Sequence, residues 1–281
     1  MYKTQLGMLA NANFGESIER QLHLMAEAGF DSFFTSWDAH TADYRRIADE
    51  LGLIYQSVHA PCHGAASMWA EGDAGKASTQ QLIDCVEDCA ANGVGIMIAH
   101  VWWGFNTEPG PTDTGLRSYG KVVDAAMKRG VKIAFENTEG PEYLDALLRE
   151  FRGCDAVGYC WDTGHENCYT DGIDFLSLYG DQLIATHLND NLGISDFHGN
   201  IAARDDIHLL PFDGTVDWEN AMARLAKTGY NGILTFELKR QNQPGRHVND
   251  KYLAMTPEMY FAEAQARACR LAAMRNRMLK K

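Results

Sequence analysis

Short apolar runs alternate with amphipathic stretches from one end of the chain to the other. Runs of strand length and strand-like composition fall at residues 5–10, 30–37, 53–59, 95–101, 131–136, 156–162, 183–187 and 232–237. Between them the apolar positions recur at helical spacing. Residues 18–28 place Ile18, Leu22, Met25 and Ala26 on one face, and Gly29 follows as a C-cap. The phrase repeats at 44–51 before Gly52, 80–91 before Asn92-Gly93, 118–129 before Gly130, 144–151 near Gly153 and 217–228 before Gly229. Thr256-Pro257-Glu258 opens a last helix over 256–281. Eight strands, each followed by a helix, predict an α/β fold, a (β/α)8 barrel, with residues 1–281 forming one domain. Residues 191–216 form a long connection after the seventh strand, the kind of loop that compact domains keep for function or motion.

With 46% hydrophobic and 22% charged residues, the composition is that of an ordinary globular chain. Lys and Arg number 25 against 38 Asp and Glu, a net charge of −13 that disfavours nucleic acid and anionic membranes as partners. The densest basic stretch, residues 270–281, reads as a solvated helix end. The longest apolar run, residues 96–103, is interrupted by His100 and is too short to span a bilayer, and the N-terminus lacks a signal-peptide pattern. Seven cysteines without a C-x-x-C pair suggest a reducing compartment, so a cytoplasmic protein is expected. Neither a dinucleotide fingerprint nor a P-loop is present.

The chemistry concentrates at the strand ends. Six predicted strands end in a residue able to ligate a metal: Val58-His59, Ala99-His100, Phe135-Glu136, Trp161-Asp162, Thr186-His187 and Phe236-Glu237. In a (β/α)8 barrel these ends share one rim, where active sites are built. Burying so many carboxylates and imidazoles together is costly without a cation, so a metal site is expected. Asp162-Thr163-Gly164-His165 brings a further imidazole within a turn, and Asp206-Ile207-His208 adds a pair for which a solvated loop is equally compatible.

In their order along the chain, Phe135-Glu136-Asn137-Thr138, Asp162-Thr163-Gly164-His165, His187-Leu188-Asn189-Asp190, Asp206-Ile207-His208 with Gly214, and Glu237 resemble the xylose-isomerase-like barrel superfamily. The likeness runs from the first strand to the last. It implies a sugar or sugar-phosphate isomerase or epimerase, or a type IV apurinic endonuclease. In the ketose 3-epimerase branch one divalent ion is bound by residues similar to Glu136, Asp162, His187 and Glu237. The extra ligands of the endonuclease's three-zinc cluster resemble His59, His100, His165, Asp206 and His208, and all are filled here. Against the nuclease stand the acidic balance and the opening Gly7-Met8-Leu9-Ala10, which lacks that branch's glycine-rich, histidine-containing start. The segment Leu188-Asn189-Asp190-Asn191 also lacks the Glu/Arg substrate pair usual in the epimerases, which leaves the sugar and its phosphorylation open.

On this resemblance, Glu136, Asp162, His187 and Glu237 hold a divalent metal, Mn²⁺ foremost, with Mg²⁺, Co²⁺ or Zn²⁺ compatible. Glu136 and Glu237 are the expected catalytic pair, moving a proton through a metal-stabilised enediolate of a small carbohydrate. His59, His100, His165, His208, Trp103 and Lys239 are expected to bind substrate. Trp37, Trp69, Trp102, Phe105 and Tyr169 are either pocket walls or packing, and Lys239-Arg240 and Arg246 either hold a substrate anion or are surface charge. Tyr2 and Met25 carry no functional expectation. A lyase of the same fold (a dehydratase or a C-glycoside-cleaving enzyme), the endonuclease, and a catalytically silent carbohydrate binder are the competing readings. Homo-oligomers are common in similar barrels.

Overall fold

A computed structural model describes residues 4–105, 110–170, 172–196 and 198–280, so Tyr2 and the expected last helical residue, Lys281, lie outside the described residues. All eight predicted strands form, as β1 (Leu6–Ala10), β2 (Ser32–Ser36), β3 (Ile54–His59), β4 (Ile96–His100), β5 (Lys132–Glu136), β6 (Val157–Asp162), β7 (Leu183–His187) and β8 (Leu234–Phe236). They make one parallel sheet in the order β7-β6-β5-β4-β3-β2-β1-β8. β1 pairs with β2 and with β8, and an isolated parallel bridge, Leu188 to Phe236, joins the remaining edges. Along that seam Leu188 N–H donates to Thr235 O at 2.8 Å and Glu237 N–H donates to Leu188 O at 3.2 Å. The chain is a nearly closed (β/α)8 barrel.

Helices run outside the strands. Several begin earlier than the apolar spacing indicates, at Thr41, Asp73 and Asp113 rather than at 44, 80 and 118. Their first turns are mostly polar, and a side-chain cap marks the third of them, where Thr112 Oγ1 accepts the Gly115 N–H and Asp113 lies in the first turn; His40 and Gly72, which precede the other two, make no such bond. Between β6 and β7 the connection holds two short helices, Thr163–Tyr169 and Phe175–Tyr179, too brief to show a periodic face. The stops are as expected. Gly29 ends Ile18–Ala28 at φ 93°, a left-handed conformation costly for residues with a Cβ, and its N–H bonds back to the last turn. No helix of the described residues is long and apolar enough to cross a membrane.

Side-chain parity along the strands sorts the interior. Met97, Ala99, Ile133, Phe135, Tyr159 and Trp161 belong to the large core shared with the helices. Ile98, Ala134, Cys160 and Ala185 form a separate buried cluster. These four sit two residues before His100, Glu136, Asp162 and His187, and positions i and i+2 share a face of a strand. An apolar layer therefore lies directly beneath the candidate ligands. Register sets their height: His100 pairs with Glu136, and Asp162 with His187.

Candidate metal centre and substrate cavity

Strand ends and register bring the predicted residues together. Glu136, Asp162, His187 and Glu237 offer ligand atoms all within 4.8 Å of one another, and His59/Glu136/His187 and His100/Glu136/His165 form two overlapping groups of the same kind. Glu136 is the hub, fully buried at the end of β5. Its Oε1 lies 2.7 Å from His187 Nδ1, and its Oε2 lies 3.2 Å from His59 Nε2 and 3.1 Å from His100 Nε2. His187 Nδ1 also meets Glu237 Oε2 at 3.0 Å, while Phe34 stacks on the imidazole with ring centroids 4.4 Å apart.

A second cluster stands beside the first. Asp206 Oδ2 lies 2.6 Å from His208 Nε2 and 3.6 Å from His165 Nε2. His208 is held at φ 47°, one of two non-glycine residues with positive φ among the described residues, the other being Phe212. Such conformations cost energy and persist where the surroundings enforce them. Here the clamp is Asp190, whose Oδ1 accepts the N–H groups of Asn191 and Val216 and whose Oδ2 accepts those of Phe212 and the Trp218 indole. Asp190 also bridges to Leu209 through both backbone groups, at 3.0 and 2.7 Å. This pair is thus built into the fold, and the solvated-loop reading of Asp206 and His208 does not hold: they are 9% and 2% exposed.

The imidazole hydrogen bonds carry chemical information. Nδ1 of His59 lies 2.8 Å from Ala60 O, that of His165 2.9 Å from Asn137 O, and that of His208 3.0 Å from Glu237 O. A carbonyl oxygen only accepts, so each Nδ1 carries the hydrogen and each neutral ring presents its Nε2 lone pair to a carboxylate. Two lone pairs face each other stably only with a proton or a cation between them. Without a cation, protons take that place at His59 and His165: burial opposes their charge, but the facing carboxylates outweigh it and raise both imidazoles. Burial opposes charge on His187, but Glu136 and Glu237 outweigh it and push the imidazole up to about 10. Burial likewise opposes ionisation of Glu136, and His187, His100 and His59 hold it well below the usual carboxylate range. Burial raises Asp162 to about 6 and lowers His100 to about 4. Backbone-fixed imidazoles facing carboxylates, buried over an apolar floor, are a donor set that fits a divalent cation.

A cavity of about 710 Å³ opens above this floor. Glu237 and the predicted substrate-binding residues His59, His100, His165, His208, Trp103 and Lys239 all line it. Trp37 and Arg240 line it too, with the Trp37 indole fixed by Asp88 at 3.0 Å. Other expected wall residues do different work. Trp69 donates to Val101 O at 2.7 Å and Trp102 stacks on Tyr143 at 4.1 Å, both buried between barrel and helices. Tyr169 stacks on His165, with Phe105 against it. Arg240 is bonded to the carbonyls of Tyr252 and Met255, and Arg246 to that of Arg204. Lys239 Nζ stays 4.0 Å from Asp206, half-exposed at the mouth.

Four supporting residues had no role assigned from the sequence, although Asn137, Asn189 and Asp190 stand in its motifs. Asn137 Oδ1 accepts from Tyr159 O–H and from the Asp162 N–H, both at 2.8 Å. Asn189 and Asp190 support the two clusters from outside, and Glu139 is buried beside Gly104. Each follows a strand-end residue closely, a position that signals proximity without disclosing a role.

Residues 22–264 match the family model described as "Xylose isomerase-like TIM barrel". The chain is 30% identical over 302 aligned positions to "Uncharacterized protein y4fM" of Sinorhizobium fredii (strain NBRC 101917 / NGR234), covering 93% of this chain and 90% of that protein. Among solved structures, it superimposes with a TM-score of 0.76 and 16% identity on a "xylose isomerase-like TIM barrel/4-hydroxyphenylpyruvate dioxygenase fusion protein", covering 99% of this chain but 44% of that longer one. The "IOLI protein with a binding zinc atom" gives 0.73 at 17% identity, with 95% and 98% of the two chains covered. "L-ribulose 3-epimerase" gives 0.73 at 15%, with 99% and 96% covered. At these identities the structural likeness is one of fold, whereas the family model spans most of the sequence. The chain belongs to the xylose isomerase-like TIM-barrel family.

Proposed function

We propose that this protein is a divalent-metal-dependent isomerase or epimerase of a small carbohydrate, working by proton transfer at the carbon beside a carbonyl. The observation that carries the reading is the buried Glu136/Asp162/His187/Glu237 group, which borders a cavity of ligand size through Glu237. The fold shared with L-ribulose 3-epimerase and with the zinc-binding IOLI protein supports it. In this reading Glu136, Asp162, His187 and Glu237 hold the ion, Mn²⁺ foremost. When bound, such an ion supplies Lewis acidity toward a carbonyl and its neighbouring hydroxyl, which acidifies the adjacent C–H.

The chain's own groups do the rest. Burial works against charge on Glu237, but His187 and His208 hold its carboxyl below the ordinary range, so it is ionised at neutral pH and able to accept a proton. It borders the cavity, while Glu136 lies deeper across His187. Proton removal by one carboxylate and return from the other face inverts the carbon; return to the neighbouring carbon interconverts aldose and ketose. His165 and His208 orient substrate hydroxyls, Trp37 and Trp103 pack against sugar C–H faces, and Lys239 lies at the mouth for a polar or anionic end.

A second reading rests on the lone-pair-to-carboxylate contacts of His59, His165 and His208: further ions fill those positions, as in a multi-zinc phosphoester hydrolase. Metal content separates the two, one ion per chain favouring the isomerase and three favouring the cluster. The chemistry is tested by incubating free and phosphorylated sugars in D₂O with Mn²⁺-loaded protein. At least one sugar is expected to gain deuterium beside its carbonyl, and Glu237→Gln to retain part of its metal while losing roughly 10²–10⁴-fold in exchange. Undiminished turnover in both Glu136→Gln and Glu237→Gln would reject the two-glutamate mechanism.

A further inference from the structure

Asn189 is fully buried two residues past His187, and its Nδ2 donates to both oxygens of Asp162, at 3.1 Å to Oδ1 and 2.9 Å to Oδ2. Asp162 Oδ1 accepts a second N–H, from the His165 backbone at 2.7 Å. Oδ2 has no other partner among the described residues, so it keeps the greater lone-pair capacity for a cation. The backbone that carries this amide is clamped, while the side-chain Oδ1 has no hydrogen-bond partner among the described residues. The Asn189 N–H donates to Thr163 Oγ1 at 2.9 Å, and the Thr163 hydroxyl donates to Asn189 O at 2.7 Å. The neighbouring Asn191 Nδ2 bonds Gly164 O at 2.7 Å. A Cβ at Gly164 would stand 1.9 Å from Asn189 Oδ1, so the side chain fits because position 164 has none.

We infer that Asn189 is a positioning residue for Asp162, fixing the plane of its carboxylate so that one oxygen is directed to an incoming cation; this rests on the reading of Asp162 as a metal ligand. A carboxylate free to turn about its last torsion loses rotational entropy on binding a metal. The straddling amide removes that freedom in advance. Being neutral, it does so without cancelling the charge that attracts the ion, as a lysine there would. Residues that orient metal ligands in this way typically contribute roughly 10–100-fold in metal affinity.

The test is Mn²⁺ affinity by chelator competition for the wild type, Asn189→Ala, Gly164→Ala, Asp162→Ala and the Asn189→Ala/Asp162→Ala double variant, each checked for native circular dichroism. Asn189→Ala and Gly164→Ala are expected to weaken binding by roughly 10–100-fold, and the double variant to bind no more weakly than Asp162→Ala, because the amide acts only through that carboxylate. Gly164→Ala keeps the amide but displaces it, so the inference stays testable if Asn189→Ala fails to fold. Wild-type affinity in Asn189→Ala alongside a loss in Asp162→Ala, or additive losses in the double variant, would overturn the positioning role and leave the metal reading standing. Wild-type affinity in Asp162→Ala would overturn both.

Discussion

Three imidazoles, those of His59, His100 and His187, reach the two oxygens of Glu136, and a fourth residue, Glu237, shares His187 with it. Removing His59 or His100 leaves Glu136 two imidazoles, whereas removing His187 takes from both Glu136 and Glu237 the one imidazole they share. Residues contributing to the four-ligand group should therefore differ sharply from those around it. Asp162→Ala and His187→Ala are expected to lose most bound metal and all activity, as measured by elemental analysis and by the exchange assay. His59→Ala and His100→Ala are expected to keep the metal-to-protein ratio and to alter substrate affinity or turnover instead. A fall in that ratio for the second pair would mean that their Nε2 atoms hold an ion of their own.

Among the elements, the connection after β5 contains a carboxyl group with unusual titration. Glu139 is 2% exposed, accepts the Gly104 N–H at 2.8 Å through Oε1, and has no hydrogen-bond partner at Oε2 among the described residues. Burial raises it to about 7. Its folded-state pKa lies above the unfolded one, so its contribution to stability is complete below about pH 4.5 and is lost as pH rises through about 7. The loss is on the order of 3 kcal/mol. Glu139→Gln keeps an acceptor for Gly104 and cannot ionise. Its Tm relative to wild type is expected to climb between pH 4.5 and 7 and then level off, in parallel melts of the metal-free proteins. A constant difference across that range would mean that Glu139 is ionised in the fold.

For the whole molecule, the net charge of −13 and the four converging carboxylates Glu136, Asp162, Asp206 and Glu237 act in the same direction. Both attract cations and both strain the metal-free state through repulsion. A cation bound only by the folded chain stabilises it by mass action, about 2.7 kcal/mol at a hundredfold excess over Kd. Chelation is thus expected to lower Tm by roughly 5 °C or more for a chain of this size, with full recovery when Mn²⁺ is restored. An unchanged Tm would argue that protons alone satisfy the cluster.

The architecture was legible because it depends on local periodicities. Strands marked by apolar runs and helices stopped by glycines such as Gly29 can be read without knowing what they pack against. The candidate ligands were legible for a related reason: a barrel gathers the C-terminal ends of its strands, so His59, His100, Glu136, Asp162 and His187 are brought together by topology alone. Polar first turns, as at Thr41, Asp73 and Asp113, were not legible, since helical spacing is visible only where a face is buried. Nor were the duties of the aromatic residues. Trp69, Trp102 and Trp103 are chemically alike, and whether each meets a helix or the cavity follows from strand parity and loop path. The support of Asp162 by Asn189, and of the His208 loop by Asp190, depends on hydrogen bonds between segments far apart in the chain. Sequence thus determined which groups stand at the rim, because period and strand order are local properties. Only tertiary structure decided which atoms face one another, because tautomer, carboxylate plane and lone-pair direction are set by partners that the chain reaches only when folded.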